Sequence, residues 1–169
     1  MKNIILTVLL TLSTTLYASS EDTSTFTLTN TEGQQIHVSD IKEGLLFKEH
    51  KNALFLIMFG HNCPPCKEEI PELIELTKKY KDKLTIVAVE VQGYKTEQVK
   101  VFKEKYGINY NLVSGDDNYD FVKHIVQRAG WKGAIPFLVA IDKNGAVQAI
   151  QAGPIKKDSL EELIEKLNK

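Results

Sequence analysis

The chain has 169 residues, of which 43% are hydrophobic and 25% charged, with a formal net charge of −1. These values fit one ordinary globular domain with a core of its own, and exclude a basic nucleic-acid-binding surface. With two cysteines, Cys63 and Cys66, the chain cannot build a disulfide-dense scaffold, a four-cysteine zinc site or a four-cysteine iron–sulfur cluster.

Residues 1–20 read as an export signal. Lys2 precedes an apolar run from Ile4 to Leu12, and small residues follow at Ala18-Ser19-Ser20. The run is shorter than the roughly 20 residues a membrane helix needs. Cleavage falls near Ala18–Ser20; an uncleaved N-terminal membrane anchor is the alternative. No cysteine stands at the exit to carry a lipid. Residues 21–169 are then the mature domain, placed in an exported, disulfide-permissive compartment.

Within it, Phe26–Thr29 and Gln35–Val38 flank the turn Asn30-Thr31-Glu32-Gly33, predicting a hairpin. Ala53–Phe59 is an unbroken apolar run, the pattern of a strand covered on both faces. Ile70, Leu73, Ile74, Thr77 and Tyr80 then recur at helical spacing. Leu84–Val91 is a second buried strand. Thr96 is expected to cap a helix that Gly107 stops, before a short strand at Tyr110–Val113. Asp117 or Asn118 is expected to cap the next helix, stopped by Gly130. Ile135–Ile141 reads as a strand opened by Pro136, turned at Asn144-Gly145 into a partner at Ala146–Ala152. Asp158 and Glu161 have the spacing of a capping box on a last helix. The order predicts an α/β fold: a central mixed sheet with helices on both faces and no second domain.

The chemistry concentrates in Phe59–Pro71, FGHNCPPCKEEIP. Cys63 falls at a helix N-terminus, where unpaired N–H groups and the helix dipole stabilise a thiolate. Cys66 falls one turn later, facing inward. An accessible attacker followed by a buried resolver is what thiol–disulfide exchange requires. Pro64 and Pro65 fit a first helical turn and remove two N–H donors from the neighbourhood of the Cys63 sulfur. A less stabilised thiolate makes the couple more reducing. A protonated His61 close to Cys63 would act in the opposite sense. Glu69 shares the helix face of Cys66 and is a candidate proton acceptor for it, or simply a solvated acid in the first helical turns.

Other readings of the pair are half a zinc site, a small structural disulfide and two free buried thiols. Lys67 after Cys66 excludes c-type haem attachment. The zinc reading requires two further ligands from His37, His50, His61 and His124, which form no second paired motif. No metal is therefore assigned, and the redox centre is the cysteine pair itself, with no other cofactor.

The segment Phe59–Pro71 resembles the active site of thioredoxin-fold proteins. With the Phe26-Thr27-Leu28 hairpin, Lys105-Tyr106-Gly107-Ile108, Ile135-Pro136-Phe137 and Asp142-Lys143-Asn144-Gly145 followed by Gly153, it resembles the exported TlpA-like branch, which holds ResA- and CcmG-type disulfide reductases. The resemblance spans roughly residues 26–168. It implies a thioredoxin fold with an N-terminal β-hairpin and an inserted helix–strand unit. It implies Cys63 as nucleophile, Cys66 as resolver, and a cis Pro136 beside them, with Ile135 holding an extended substrate through its backbone. It also gives Glu69 the place of the branch's acidic residue. The partners it implies are disulfide-containing periplasmic proteins, apocytochrome c among them, and a membrane thiol reductase as electron donor, with the protein a monomer. The sequence departs from the pattern at Asn62, where tryptophan is usual. It departs again at Ile57, the place of the buried acid of cytosolic thioredoxins, and at Trp131–Pro136, one residue longer than usual. A dithiol oxidase or isomerase is the alternative direction, and a Cu(I) chaperone on the two cysteines the alternative class.

Overall fold

A computed structural model describes residues 23–169; the export-signal reading falls on residues outside this range. The chain starts with a three-stranded antiparallel sheet, β1 (Thr25–Thr29), β2 (Gln35–Ile41) and β3 (Gly44–Phe47). The alternating region follows as β4 (Ala53–Phe59), α1 (Pro64–Lys79), β5 (Leu84–Glu90), α2 (Thr96–Tyr106), β6 (Asn111–Ser114), α3 (Tyr119–Ala129), β7 (Phe137–Ile141), β8 (Val147–Ala152) and α4 (Lys157–Leu167).

The five-stranded sheet has the order β6-β5-β4-β7-β8. β4 runs parallel to β5, and β5 to β6; β7 lies antiparallel to β4, and β8 to β7. Every residue of β4 is buried. Because strand side chains alternate between faces, this strand serves two cores at once. Phe55, Ile57 and Phe59 pack with Cys66, Ile70, Leu73 and Leu76 of α1, Val99 and Phe102 of α2, and Leu160 and Ile164 of α4. Leu54, Leu56 and Met58 pack on the opposite face with Phe121 and Ile125 of α3 and with Leu28, Val38 and Phe47 of the N-terminal sheet. The expected mixed sheet with helices on both faces is the observed architecture, and it is a thioredoxin fold.

Local chemistry departs from the expected caps. Lys95, not Thr96, is the N-cap of α2; Thr96 turns its hydroxyl and its backbone N–H to Asp117 Oδ2, each at 2.8 Å. Asp117 is thereby taken from α3, whose N-cap Asn118 makes no side-chain cap and donates instead to the Ser114 carbonyl. Asp158 and Glu161 form no capping box either: α4 is capped at Lys156, and Glu161 pairs with Lys79 at 2.8 Å. In all three places a tertiary partner competes for the side chain the local rule assigns to the helix end.

The strand β3 has no clear alternating signal and exists through contacts. Its Gly44 bridges to Ala146, and Leu45 N–H donates to the Gly145 carbonyl at 2.8 Å. A Cβ on Gly44 would stand 2.5 Å from that carbonyl, so the approach of the N-terminal sheet to the β7–β8 turn requires glycine. At the other end, Thr31 N–H donates to Leu112 O and the Asn30 amide to Asn111 Oδ1. The hairpin is thus tied to both edges of the larger sheet. β7 begins at Phe137, after the proline loop, rather than at Ile135.

Phe55 is 0% exposed at the centre of this frame. Phe55→Ala is expected to lower unfolding free energy by about 3–5 kcal/mol. The check is the urea denaturation midpoint, with an unchanged m-value showing that the loss is one of native-state packing.

Candidate active site

The chain leaves β4, returns to β5 on one side and much later to β7 on the other, so the end of β4 is the point where the sheet order reverses. In open α/β sheets such a point leaves a crevice at the strand ends. The turn Gly60–Cys63 and the start of α1 occupy it.

Cys63 is the N-cap residue of α1, with φ −95° and ψ 106°, and Pro64 and Pro65 fill the first two helical positions. The first backbone donor left in the helix is the N–H of Cys66, and it donates to Cys63 Sγ at 3.3 Å. Cys63 and Cys66 are joined in a disulfide, with their Cα atoms 5.3 Å apart. The expected contrast of an exposed attacker and a buried resolver is not a contrast of residue exposure here. Cys63 is 6% and Cys66 4% accessible. The bridge draws both sulfurs against the apolar face that Ile70 continues.

The Ile135–Pro136 peptide is cis. Cys63 Sγ lies 3.8 Å from the Ile135 carbonyl oxygen, which brings the two segments together as the family resemblance implies. Pro136 is buried and Ile135 half-buried. The lengthened approach to the proline is held by Trp131, whose indole N–H donates to the Ala134 carbonyl at 2.7 Å and whose ring stands on Phe137. Beyond the loop, Gly153 N–H donates to the Pro136 carbonyl at 2.8 Å.

Glu69 is half-buried and accepts the Ile155 N–H at 2.8 Å. Burial pushes its carboxyl above the usual range, the Ile155 bond opposes that, and the neighbouring charge of Glu72 adds to it. Tyr110 is pushed up as well, by its burial and then by Glu69.

His61 has other partners than the sulfur. Its Nδ1 donates to Glu90 Oε1 at 2.9 Å, and its ring lies flat on Tyr94, with centroids 3.5 Å apart and planes 4° from parallel. Asn62 N–H donates to Gln92 Oε1 at 2.8 Å. Sequence reasoning passed over Glu90, Gln92 and Tyr94. The available signal was a glutamate closing the strand LTIVAVE directly after the apolar run Ile86–Val89. Ile57 is 5% exposed and belongs to the core, with no proton-relaying capacity. From His61, Asn62 and Lys67 an open groove of about 530 Å³ extends beside α2 to Lys105 and Tyr106. Among the described residues no group of three or more His, Cys, Asp or Glu side chains stands close enough to hold a metal ion.

Residues 20–150 match the AhpC/TSA family. The chain belongs to that family. Thiol-disulfide oxidoreductase ResA of Geobacillus kaustophilus is 31% identical over 143 residues, covering 84% of this chain and 74% of the relative. Thioredoxin-like protein YneN of Bacillus subtilis is 26% identical over 141 residues, covering 79% of each. The crystal structure of a putative thiol:disulfide interchange protein DsbE from Chlorobium tepidum superposes with a TM-score of 0.64 at 21% identity, over 85% of this chain and 93% of that one. The resemblance to ResA- and CcmG-type proteins read from the sequence is therefore real, and the chain is a thiol–disulfide oxidoreductase with Cys63 and Cys66 as its CxxC pair.

The raised Glu69 carboxyl has a signed consequence. A carboxyl whose folded pKa exceeds its unfolded value favours the fold while protonated, and that contribution is lost as pH rises through the folded pKa. Glu69→Gln keeps an acceptor for the Ile155 N–H and removes the titration. The variant is expected to match or exceed wild-type stability at pH 7, and to lose the fall in stability that wild type shows as pH rises above the usual glutamate value. Denaturation midpoints measured from pH 4 to 7 check this.

Proposed function

We propose that the protein works after export as a disulfide reductase, with residues 1–20 removed as its signal and 21–169 remaining as the working domain. The observation that carries the direction is the sulfur environment of Cys63. With Pro64 and Pro65 at the first two helical positions, Cys66 contributes the first N–H of α1, and that N–H donates to the sulfur. A thiolate with few donors is a costly state, which raises the energy of the dithiol form and lets it give electrons away.

The steps follow from the arrangement. The Cys63 thiolate attacks one sulfur of a substrate disulfide, forming a mixed disulfide and releasing the other sulfur as a thiolate. The Ile135 backbone aligns the substrate strand beside Pro136. Cys66 passes its proton to Glu69 and attacks Cys63 Sγ as a thiolate, expelling the second substrate sulfur as a thiolate, which takes the proton back from Glu69, and closing the Cys63–Cys66 bridge. Two electrons have then passed to the substrate. The dithiol of a membrane reductase restores the pair. Disulfide-bearing exported proteins are the substrate class, with apocytochrome c awaiting haem as the client we favour. The cysteine pair needs no further cofactor, and a monomer suffices. Among the described residues no helix is long and apolar enough to cross a membrane.

Cys66→Ser is expected to accumulate substrates as mixed disulfides on Cys63, and Cys63→Ser to capture few; equal capture by both reverses or removes the roles. The reduction potential, measured against glutathione or thioredoxin, should lie near or below the −270 mV scale of thioredoxin, whereas a value near about −120 mV makes the protein an oxidase. Glu69→Gln should slow the resolving step and flatten its pH dependence, which stopped-flow measurement of mixed-disulfide decay reads directly.

A further inference from the structure

Glu90 is 0% exposed and, among the described residues, the one acidic or basic side chain in the fully buried set. It ends β5 opposite Phe59, the last residue of β4. A buried carboxylate is tolerated where donors replace the water it has lost. Here Oε1 accepts His61 N–H at 3.3 Å, His61 Nδ1–H at 2.9 Å and Gln92 N–H at 2.9 Å, and Oε2 accepts Tyr94 N–H at 2.8 Å. Two of these donors belong to the turn that carries Cys63 and two to the segment after β5.

The N–H groups of that turn are accounted for one after another. His61 donates to Glu90, Asn62 to Gln92 Oε1, and Cys63 to the Gly60 carbonyl at 3.1 Å. The His61 ring is fixed twice, at Nδ1 by Glu90 and on its face by Tyr94. Four donors converging on one side chain call for a group that only accepts. An amide in the same place turns its NH₂ on one of them.

We propose that Glu90 is a positioning residue of the redox pair, acting through His61 and the Gly60–Cys63 turn to hold Cys63 Sγ where Cys66 can close on it. The inference rests on the reading of this pair as the redox centre and names what sets its equilibrium. Closure of a disulfide within one chain depends on how well the two sulfurs are held at bonding distance. Loosening the turn that carries one sulfur leaves the dithiol less ready to close, so the dithiol gains and the couple becomes more oxidising.

The test is equilibration of the full-length protein with glutathione, where two glutathione thiols give two electrons and two protons to the pair and leave as one glutathione disulfide. The dithiol fraction is read by thiol alkylation. Glu90→Ala is expected to shift the equilibrium constant about tenfold towards the dithiol, which is about 30 mV for a two-electron couple. Glu90→Gln keeps an oxygen for the Oε1 donors and opposes only Tyr94 N–H, so it should recover most of the wild-type value. His61→Ala should shift the constant in the same direction as Glu90→Ala, and the double variant no further than Glu90→Ala alone. A folded Glu90→Ala with a lowered melting temperature and the wild-type constant overturns the proposal, because a role in stability alone predicts that result. Should Glu90→Ala not fold, a His61→Ala constant that is unshifted or shifted towards the disulfide overturns it, and a His61→Ala shift towards the dithiol supports it. Wild-type protein that fails to exchange with glutathione overturns the redox reading itself, a result distinct from all of these.

Discussion

The double burial of β4 is the constraint on which the rest depends. A strand at the centre of a five-stranded sheet must satisfy apolar neighbours on both faces, and ALFLIMF does so with no polar residue in seven positions. One face draws α1, α2 and α4 over it, the other α3 and the N-terminal sheet. Once β4 is fixed in this way, its last residue has a single place to deliver the chain. That place lies between β5 and β7, and the contacts around Cys63 that come from outside its own turn and α1 are drawn from those two neighbours. The turn with Cys63 is held by Glu90, the last residue of β5, and by Gln92 just after it, and the sulfur faces the loop before β7.

Two glutamates near the pair, Glu69 and Glu90, are drawn out of solvent, and their surroundings differ. Glu69 lies on α1, half-buried, with one backbone donor in contact, and burial raises its carboxyl above the usual range. Glu90 is sealed off and encircled by four donors, so its oxygens are spent on geometry. The same side chain thus meets one backbone donor in one position and four N–H donors in the other. The difference lies in how many N–H groups the backbone aims at each.

Much of this was legible in the residues. The apolar run of β4, the glycine stops at Gly107 and Gly130, and the turn at Asn144-Gly145 are local signals whose physics does not depend on distant contacts, and each matches the structure. The Cys63 cap with prolines after it was likewise readable, because a helix start constrains three consecutive positions at once. The rest depended on partners far away in sequence. Thr96 and Asp117 bond each other rather than the helix ends they adjoin, and β3 exists because Gly44 reaches Ala146. The partner of His61 lies 29 residues on, at the end of a strand whose pattern announced only burial. A sequence read through period and spacing registers Glu90 as the end of a strand. Its role appears only when the strand is laid beside Phe59.

The low exposure of Cys63 bears on how exchange proceeds. In the bridged form its sulfur is bonded to that of Cys66 and faces the Ile135 carbonyl, and the residue is 6% exposed, so a partner thiol has little open surface at Cys63 to approach. Breaking the bridge frees the Cys63 sulfur from Cys66 while the turn behind it, anchored at His61 and Asn62, has its backbone donors already engaged. Pro64 and Pro65 follow in the first turn of α1, where their rings fix φ and limit backbone rearrangement. A turn whose donors are engaged on one side and which two prolines follow on the other is a rigid mount for the Cys63 sulfur. The buried strand that feeds the turn is what makes that rigidity available.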